Sequence, residues 1–386
     1  MLAFAALENP VSLPESPLSL STVHLPSLSR PSLHRLFKEL QQPSYRADQV
    51  FRWLHVRQVT DFAEMTDLPA GLRQILSETR PLGPLSVAET HQSQIDGSYK
   101  LVLQTVDAQA IETVVMPMGG EEGGAAHVTQ CLSSQVGCKM GCDFCATARI
   151  ATRRNLSAGE IVAQVSIACR LLAKEGLLRG GVAGGQVGPL ASRPHNLVFM
   201  GMGEPLDNLE ALCDALDILG DAKAYDFSPR RITVSTVGLA KQIAPLLARH
   251  PQVNLAWSLT ATTDAVRDRL MPVNRGVPIA RMLAALAAVP KLPHRKITFE
   301  YALLQGINDS PTDAHRLAAM AVDLGAHVNC IPFNAWPGSA YRRPERVVVR
   351  DFAEIIRRFG ASVSVRESKG QDIGAACGQL AGRPAA

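Results

Sequence analysis

Three cysteines separated by short spacers lie in the middle of the chain: Cys138, Cys142 and Cys145. In a loop after a strand, this spacing can place three thiolates around one cuboidal iron–sulfur cluster, a group that four cysteines normally hold. Three ligands leave one iron open to a small molecule with amine and carboxylate groups. Zinc is the competing interpretation, but structural zinc sites usually have paired cysteines and four ligands. Because the sequence has no second pair of that kind, the pattern favours a cluster.

The composition is that of a soluble globular protein. The chain has 386 residues, of which 46% are hydrophobic and 19% charged, so we expect one large domain with smaller additions. No apolar run approaches the roughly 18–20 residues that cross a bilayer. Eight cysteines without secretory features argue against a disulfide scaffold. We therefore expect a cytoplasmic protein with no membrane contact.

The net charge of +4 permits a nucleic-acid partner without requiring one. Arginines cluster after Cys145 and again near the C-terminus. Taken singly, they are typical of solvated helix faces. Taken together, they could neutralise the phosphates from which most nucleic-acid affinity arises.

Hydrophobic periodicity divides the chain into five segments. We predict a disordered leader over 1–30, a small helical accessory domain over 31–85, a short antiparallel β extension over 86–126, a strand–helix alternation over 127–340, and a C-terminal helix and strand segment over 341–386. Six β/α units in series indicate an α/β fold with a parallel sheet, either barrel-like or open. The carboxyl ends of such strands meet at one side, where these folds place their sites.

Several separate motifs resemble the RlmN/Cfr family of radical S-adenosylmethionine RNA methyltransferases. The matching segments are 131–147, which contains the cysteine loop, and 154–156, 200–205, 231–236, 271–274 and 372–380. The resemblance extends from Leu33 to Gly382. It implies a partial (β/α)6 radical-SAM barrel with a [4Fe–4S] cluster on Cys138, Cys142 and Cys145.

The resemblance also implies where S-adenosylmethionine binds. The matching residues follow four of the predicted strands: Gly203, Glu204, Ser235, Ser258, Leu259, Thr260 and Asn334. A carboxylate beside backbone carbonyls suits a cationic ammonium group. The chain departs from the family pattern at Thr260, where histidine is common, and at Ala151 and Thr152, which replace a glycine–aromatic pair.

Two further cysteines and a glutamate gain roles only through the resemblance. It implies that two S-adenosylmethionine molecules are used per turnover. One methylates Cys377, and the other is cleaved to an adenosyl radical that takes hydrogen from this methylcysteine. After the carbon has added to adenine, Cys131 would release the product by forming a disulfide with Cys377. Glu112 matches the proton acceptor.

The expected activity is methylation of carbon 2 of an adenine in 23S rRNA, at the peptidyl transferase centre, with transfer RNA as a second candidate substrate. A reducing donor such as flavodoxin or ferredoxin would supply electrons. Three alternatives stay open. They are methylation at carbon 8 of adenine, radical chemistry on a substrate other than RNA, and a zinc-containing RNA-binding protein without catalysis.

Overall fold

The computed structural model describes residues 24–79, 82–119, 127–176, 188–293, 295 and 297–382. The helices are α1 Arg30–Glu39, α2 Ser44–Arg52, α3 Ala70–Thr79, α4 Ala158–Glu175, α5 Leu209–Gly220, α6 Ala240–Arg249, α7 Asp264–Leu270, α8 Ile279–Ala287, α9 Pro311–Leu324 and α10 Arg346–Arg358. The strands are β1 Leu85–Gln92, β2 Tyr99–Thr105, β3 Ala110–Met118, β4 His127–Cys131, β5 Gln135–Val136, β6 Arg154–Asn155, β7 Asn196–Phe199, β8 Ile232–Thr236, β9 Asn254–Ser258, β10 Ile297–Leu303, β11 His327–Pro332 and β12 Ser362–Val365. In the described part of the chain, no helix is both long and apolar enough to span a membrane.

Ten strands of the described residues form one sheet in the order β1-β2-β3-β4-β7-β8-β9-β10-β11-β12. From β4 to β12 every neighbouring pair is parallel. Helices connect the successive parallel strands, as right-handed β/α crossovers require. The predicted α/β class with a partial barrel is confirmed.

The antiparallel strands extend the same sheet. β1 pairs with β2, β2 with β3, and β3 with β4. The β3–β4 register places Val114 opposite Cys131. The predicted extension is therefore continuous with the barrel and borders the strand that leads into the cysteine loop. Residues 120–126, at the end of that predicted segment, lie outside the described residues.

The N-terminal helices bury one apolar face, as their 3.6-residue periodicity predicts, and this face joins the main hydrophobic core. Leu33, Phe37 and Phe51 are buried in it. Part of the predicted leader over 1–30 is folded, because Leu25 and Leu28 are also buried. Ser27 Oγ accepts a hydrogen bond of 2.9 Å from the amide of Gly159, at the start of α4. Residues 1–23 of the predicted leader lie outside the described residues, as do residues 383–386.

A buried polar network fixes the carboxyl end of β4. The side chain of Gln164 bonds to both backbone groups of Ser133: its Oε1 accepts from the Ser133 amide at 2.9 Å, and its Nε2 donates to the Ser133 carbonyl at 2.9 Å. Ser133 Oγ donates to the carbonyl of Glu112 at 2.6 Å, and it accepts from the amide of Met202 at 2.9 Å. Because buried polar groups must be paired, these bonds fix β3, β4 and the turn after β7 relative to one another.

Candidate active site

A cavity of about 170 Å³ opens at the carboxyl ends of the parallel strands. The sequence predicted a site at this edge of the sheet. The cavity brings together ten of the predicted site residues: Cys138, Cys142, Cys145, Gly203, Glu204, Ser235, Ser258, Thr260, Asn334 and Cys377. Leu259 is fully buried and does not line it.

The cysteine loop is shaped by glycine and by polar contacts. Gly137 has φ of +66°, and a Cβ atom there would lie 2.4 Å from the carbonyl oxygen of Thr152. The indole nitrogen of Trp336 donates to the carbonyl of Phe144 at 3.0 Å. Tyr341 Oη donates to Asp143 at 2.6 Å. These contacts hold the loop over the cavity.

The three thiols of the loop share a poorly solvated site. Burial raises the pKa of Cys138 to about 12 and that of Cys142 well above its usual value, and the neighbouring thiols raise both further. Burial also raises the pKa of Cys145. Thiolates become favourable here only when a metal centre compensates their charge, so the donor set fits an iron–sulfur cluster. Among the described residues, no three His, Cys, Asp or Glu side chains converge as a single-ion site would require.

Glu204 places a carboxylate in the wall of the cavity, after β7. Its oxygens accept from the amides of Leu206 at 3.1 Å and Val237 at 2.9 Å. Burial raises the pKa of Glu204 to about 7, although these hydrogen bonds lower it. Gly203 before it has φ of +99°, and a Cβ atom there would lie 2.5 Å from Cβ of Gln135. A buried carboxylate of this kind suits an ammonium group.

Polar strand ends complete the cavity. The hydroxyl oxygens of Ser235 and Ser258 lie 3.3 Å apart. Thr260 adopts the left-handed backbone region with φ of +56°, which is rare for a β-branched residue. Its carbonyl accepts a 2.6 Å bond from the side chain of Asn308. Asn334 is buried, and its Oδ1 finds no hydrogen-bond partner among the described residues. That oxygen is available to a bound molecule.

Cys131 and Cys377 line a second, smaller cavity of about 20 Å³ together with Arg366. Cys377 also lines the main cavity, so it forms part of the wall between the two. Burial raises the pKa of Cys131 to about 12, Cys377 raises it further, and the guanidinium of Arg366 opposes both effects. All eight cysteines are free. The expected disulfide bond between Cys131 and Cys377 is therefore not present in this structure.

Glu112 lies in neither cavity. It is buried on β3, where burial raises its pKa and Lys100 lowers it. Lys100 Nζ is 3.6 Å from its Oε1, and the amide of Ala381 donates to its Oε2 at 3.0 Å. The structure thus places Glu112 against the chain that follows Cys377.

Arg366 was not predicted from the sequence. The available signal was an arginine directly after a strand of the parallel sheet.

The comparisons with known proteins agree with this architecture. Residues 23–81 match the model of the ribosomal RNA large subunit methyltransferase N-terminal domain. The dual-specificity RNA methyltransferase RlmN of Alkalilimnicola ehrlichii is 41% identical over 94% of this chain and 94% of its own length. The RlmN of Anaeromyxobacter dehalogenans is 43% identical over 93% of this chain and 92% of its own length. The chain belongs to the RlmN family.

A solved structure supports the same assignment. The crystal structure of a radical SAM methyltransferase from Sphaerobacter thermophilus superposes with a TM-score of 0.84 at 40% identity. It covers 94% of this chain and 100% of its own. Radical S-adenosylmethionine methyltransferases use a [4Fe–4S] cluster and S-adenosylmethionine. The main cavity of this RlmN-family chain brings three thiols and the buried carboxylate of Glu204 together.

Proposed function

We propose that this protein methylates carbon 2 of an adenine in 23S rRNA at the peptidyl transferase centre, with transfer RNA as a second substrate. One observation carries the proposal. Cys377 lines the same cavity as Cys138, Cys142 and Cys145, so a sulfur that can carry a methyl group faces the place where a radical would be generated. The similarity to relatives named dual-specificity RNA methyltransferases supports the choice of RNA.

The cavity residues divide into two sets. Cys138, Cys142 and Cys145 would hold the [4Fe–4S] cluster, which when bound supplies the electron that cleaves S-adenosylmethionine. Glu204 would accept the ammonium group of that molecule, because it is buried and lines the cavity. The other predicted residues that line the cavity would orient the rest of the S-adenosylmethionine molecule, namely Gly203, Ser235, Ser258, Thr260 and Asn334. Two S-adenosylmethionine molecules would be used per turnover, in succession at this one cavity.

Three residues outside the cluster loop would deliver and release the methyl carbon. Cys377 would carry it. Cys131, across the smaller cavity, would form a transient disulfide with Cys377 as the product leaves. Glu112, which contacts the chain after Cys377 through the amide of Ala381, would accept the proton from adenine.

The N-terminal helical domain presents a surface that suits folded RNA. The guanidinium of Arg46 lies 4.9 Å from the ring centre of Tyr45, and that of Arg57 lies 6.0 Å from the ring of Trp53. Tyr45 is 53% exposed. Arginines beside exposed aromatic rings can pair with phosphates and stack on splayed bases.

A flavodoxin or ferredoxin would reduce the cluster.

The proposal is tested with the reconstituted protein, S-adenosylmethionine, dithionite and unmodified 23S rRNA. Nucleosides from the product are separated by chromatography and identified by mass spectrometry. We expect 2-methyladenosine from the wild type and from Cys213→Ala, a matched variant of a buried cysteine on α5. Cys377→Ala should give none. Formation of 8-methyladenosine instead would show that carbon 8 is the methylated atom. Absence of any modified adenosine with every RNA tested would overturn the proposal.

A further inference from the structure

The segment that carries Cys377 has no regular secondary structure, yet many bonds hold it. We call residues 366–382, after β12, the C-terminal arm. On the barrel side, the amide of Ala146 donates to the carbonyl of Gly378 at 2.8 Å, and Thr147 Oγ1 donates to the carbonyl of Leu380 at 2.7 Å. These bonds fix the arm after Cys377. The residues before Cys377 are fixed elsewhere.

Asp372 fixes the arm to the turn between β1 and β2. Ser93 Oγ donates to its Oδ1 at 2.7 Å, and the amide of Gln94 donates to its Oδ2 at 3.0 Å. Ser93 is only 3% exposed, whereas Asp372 and Gln94 lie at the surface, so the arm is tied to a buried hydroxyl at the base of the turn. A carboxylate that accepts two such donors is held more strongly than a neutral acceptor would be.

A second bond runs in the opposite direction, from the arm to the same turn. The amide of Gly370 donates to Oδ2 of Asp96 at 2.8 Å, while Oδ1 of Asp96 accepts from the amide of Ser98 at 3.0 Å. Gly97 shapes this turn with φ of +70°. The Asp96–Gly97 pair therefore both shapes the turn and presents a carboxylate to the arm.

Glu112 on β3 holds the far end of the arm through the amide of Ala381. Cys377 is thus flanked by bonds to the antiparallel strands on both sides: Asp372 and Gly370 before it, Ala381 after it. The four antiparallel neighbours β1 to β4 form one continuous ladder, with a register shift between Val87 and Glu89 in β1. Because β4 ends in Cys131, the ladder connects the elements that carry the two cysteines.

We propose that the β1–β2 turn is a positioning element for methyl delivery, and that its bonds with Asp372 and Gly370 set Cys377 at the wall between the two cavities and opposite Cys131. Asp372, Ser93 and Asp96 are positioning residues, since they line neither cavity. The effect of the turn on methylation rests on the proposed function, whereas its effect on the position of Cys377 is independent of that function.

The test uses Asp372→Asn in the full-length protein. The amide group cannot accept from both Ser93 and Gln94, so one bond is lost. Ser93→Ala removes the bond to Asp372 and also the two bonds that Ser93 Oγ accepts from the amides of Ile95 and Asp96 within the turn, and it serves as the second variant if Asp372→Asn folds poorly. Asp323→Asn, at an exposed position on α9, is the matched control. Two readouts are made on the purified proteins without RNA.

The first readout is hydrogen–deuterium exchange of the arm, followed by mass spectrometry of its peptides. We expect about tenfold faster exchange in residues 370–378 of Asp372→Asn, because the loss of a charge-assisted bond lowers the free energy of local opening. The second is the rate at which oxidised glutathione converts the thiols of Cys131 and Cys377 into one disulfide, releasing two glutathione thiols. That rate should fall severalfold in Asp372→Asn and Ser93→Ala and stay at the wild-type value in Asp323→Asn.

Wild-type exchange and a wild-type disulfide rate in both arm variants would overturn the positioning role. If both readouts change as expected, methylation by Asp372→Asn should show a lower kcat with an unchanged KM for RNA. If the wild type itself methylates no RNA while the two readouts still respond, the proposed function fails and the positioning role stands.

Discussion

Asn334 and Cys377 are joined by a hydrogen bond in which the Asn334 side-chain nitrogen donates to the Cys377 carbonyl oxygen at 3.2 Å. Asn334 follows β11, at the carboxyl end of the parallel sheet, and Cys377 lies on the C-terminal arm. The bond orients the Asn334 amide so that its other atom, Oδ1, has no partner among the described residues. One side chain therefore contacts the C-terminal arm while offering an acceptor to the cavity.

Asn334→Ala should weaken S-adenosylmethionine binding. The substitution removes a buried acceptor, and a hydrogen bond of this kind contributes about 1 kcal/mol, which raises the Kd several-fold to about tenfold. Titration calorimetry on the reconstituted protein measures the effect, with Asp323→Asn as the control. An unchanged Kd would show that Oδ1 does not contact the ligand.

Each cysteine of the loop should be required for the cluster. Cys138→Ala, Cys142→Ala and Cys145→Ala each leave too few thiolates for a cuboidal cluster with one open iron. After anaerobic reconstitution we expect each of these variants to be colourless rather than brown, with iron and sulfide contents near zero. Cys213→Ala, which changes a buried cysteine far along the chain, should keep the wild-type iron content. Full iron in any of the three loop variants would contradict the ligand assignment.

Glu204 should make the ligand-free protein less stable at higher pH. Burial raises its pKa to about 7 from 4.5, so the folded protein binds a proton that the unfolded chain releases. The resulting stabilisation is fully present below the pKa that Glu204 has in the unfolded chain. It is lost as the pH rises through about 7, which lowers the free energy of unfolding by about 3 kcal/mol. Glu204→Gln cannot ionise, so its unfolding free energy should fall less between about pH 5 and pH 8.

Chemical denaturation across that pH range checks the effect. Glu39→Gln, at an exposed position on α1, is the control and should follow the wild-type profile. A Glu204→Gln profile as steep as that of the wild type would mean that another group causes the pH dependence.

Gly203→Ala should destabilise the protein. An added Cβ atom would lie 2.5 Å from Gln135, at a backbone φ of +99°. Gln135 cannot easily move, because its side chain donates to Asn155 at 2.7 Å and to Asp207 at 2.9 Å. Strained backbone and overpacking together cost about 3 kcal/mol, which thermal unfolding can measure.

Gly71 provides the matched control for this substitution. It lies in α3, and an added Cβ atom there would have no neighbour within 4 Å. Because alanine favours helix, Gly71→Ala should be neutral or stabilising by up to about 1 kcal/mol. Equal unfolding temperatures for the two variants would contradict the packing described around Gly203.

The sequence predicted the fold and the residues of the main cavity because those signals are local. The cysteine spacing and the polar residues at strand ends lie within short segments, and the parallel sheet brings their strands to one edge. Thr260 was singled out as a departure from the family. Its left-handed backbone was not foreseen, because a threonine rarely adopts that conformation.

The environment of Cys377 could not be predicted in the same way. The Asp372–Ser93 bond joins residues 279 positions apart, and no local pattern in either segment indicates the other. Leu25 lies in a serine- and proline-rich stretch, so its burial depends on contact with α4 rather than on its own periodicity. The continuity of the β extension with the barrel likewise depends on the β3–β4 pairing.

The most direct test of the central claim is a nucleoside analysis of 23S rRNA from cells that lack the gene. The account predicts that 2-methyladenosine disappears on deletion, returns with the wild-type gene, and does not return with Cys377→Ala. Unchanged 2-methyladenosine in the deletion strain, or its restoration by Cys377→Ala, would contradict the proposed function.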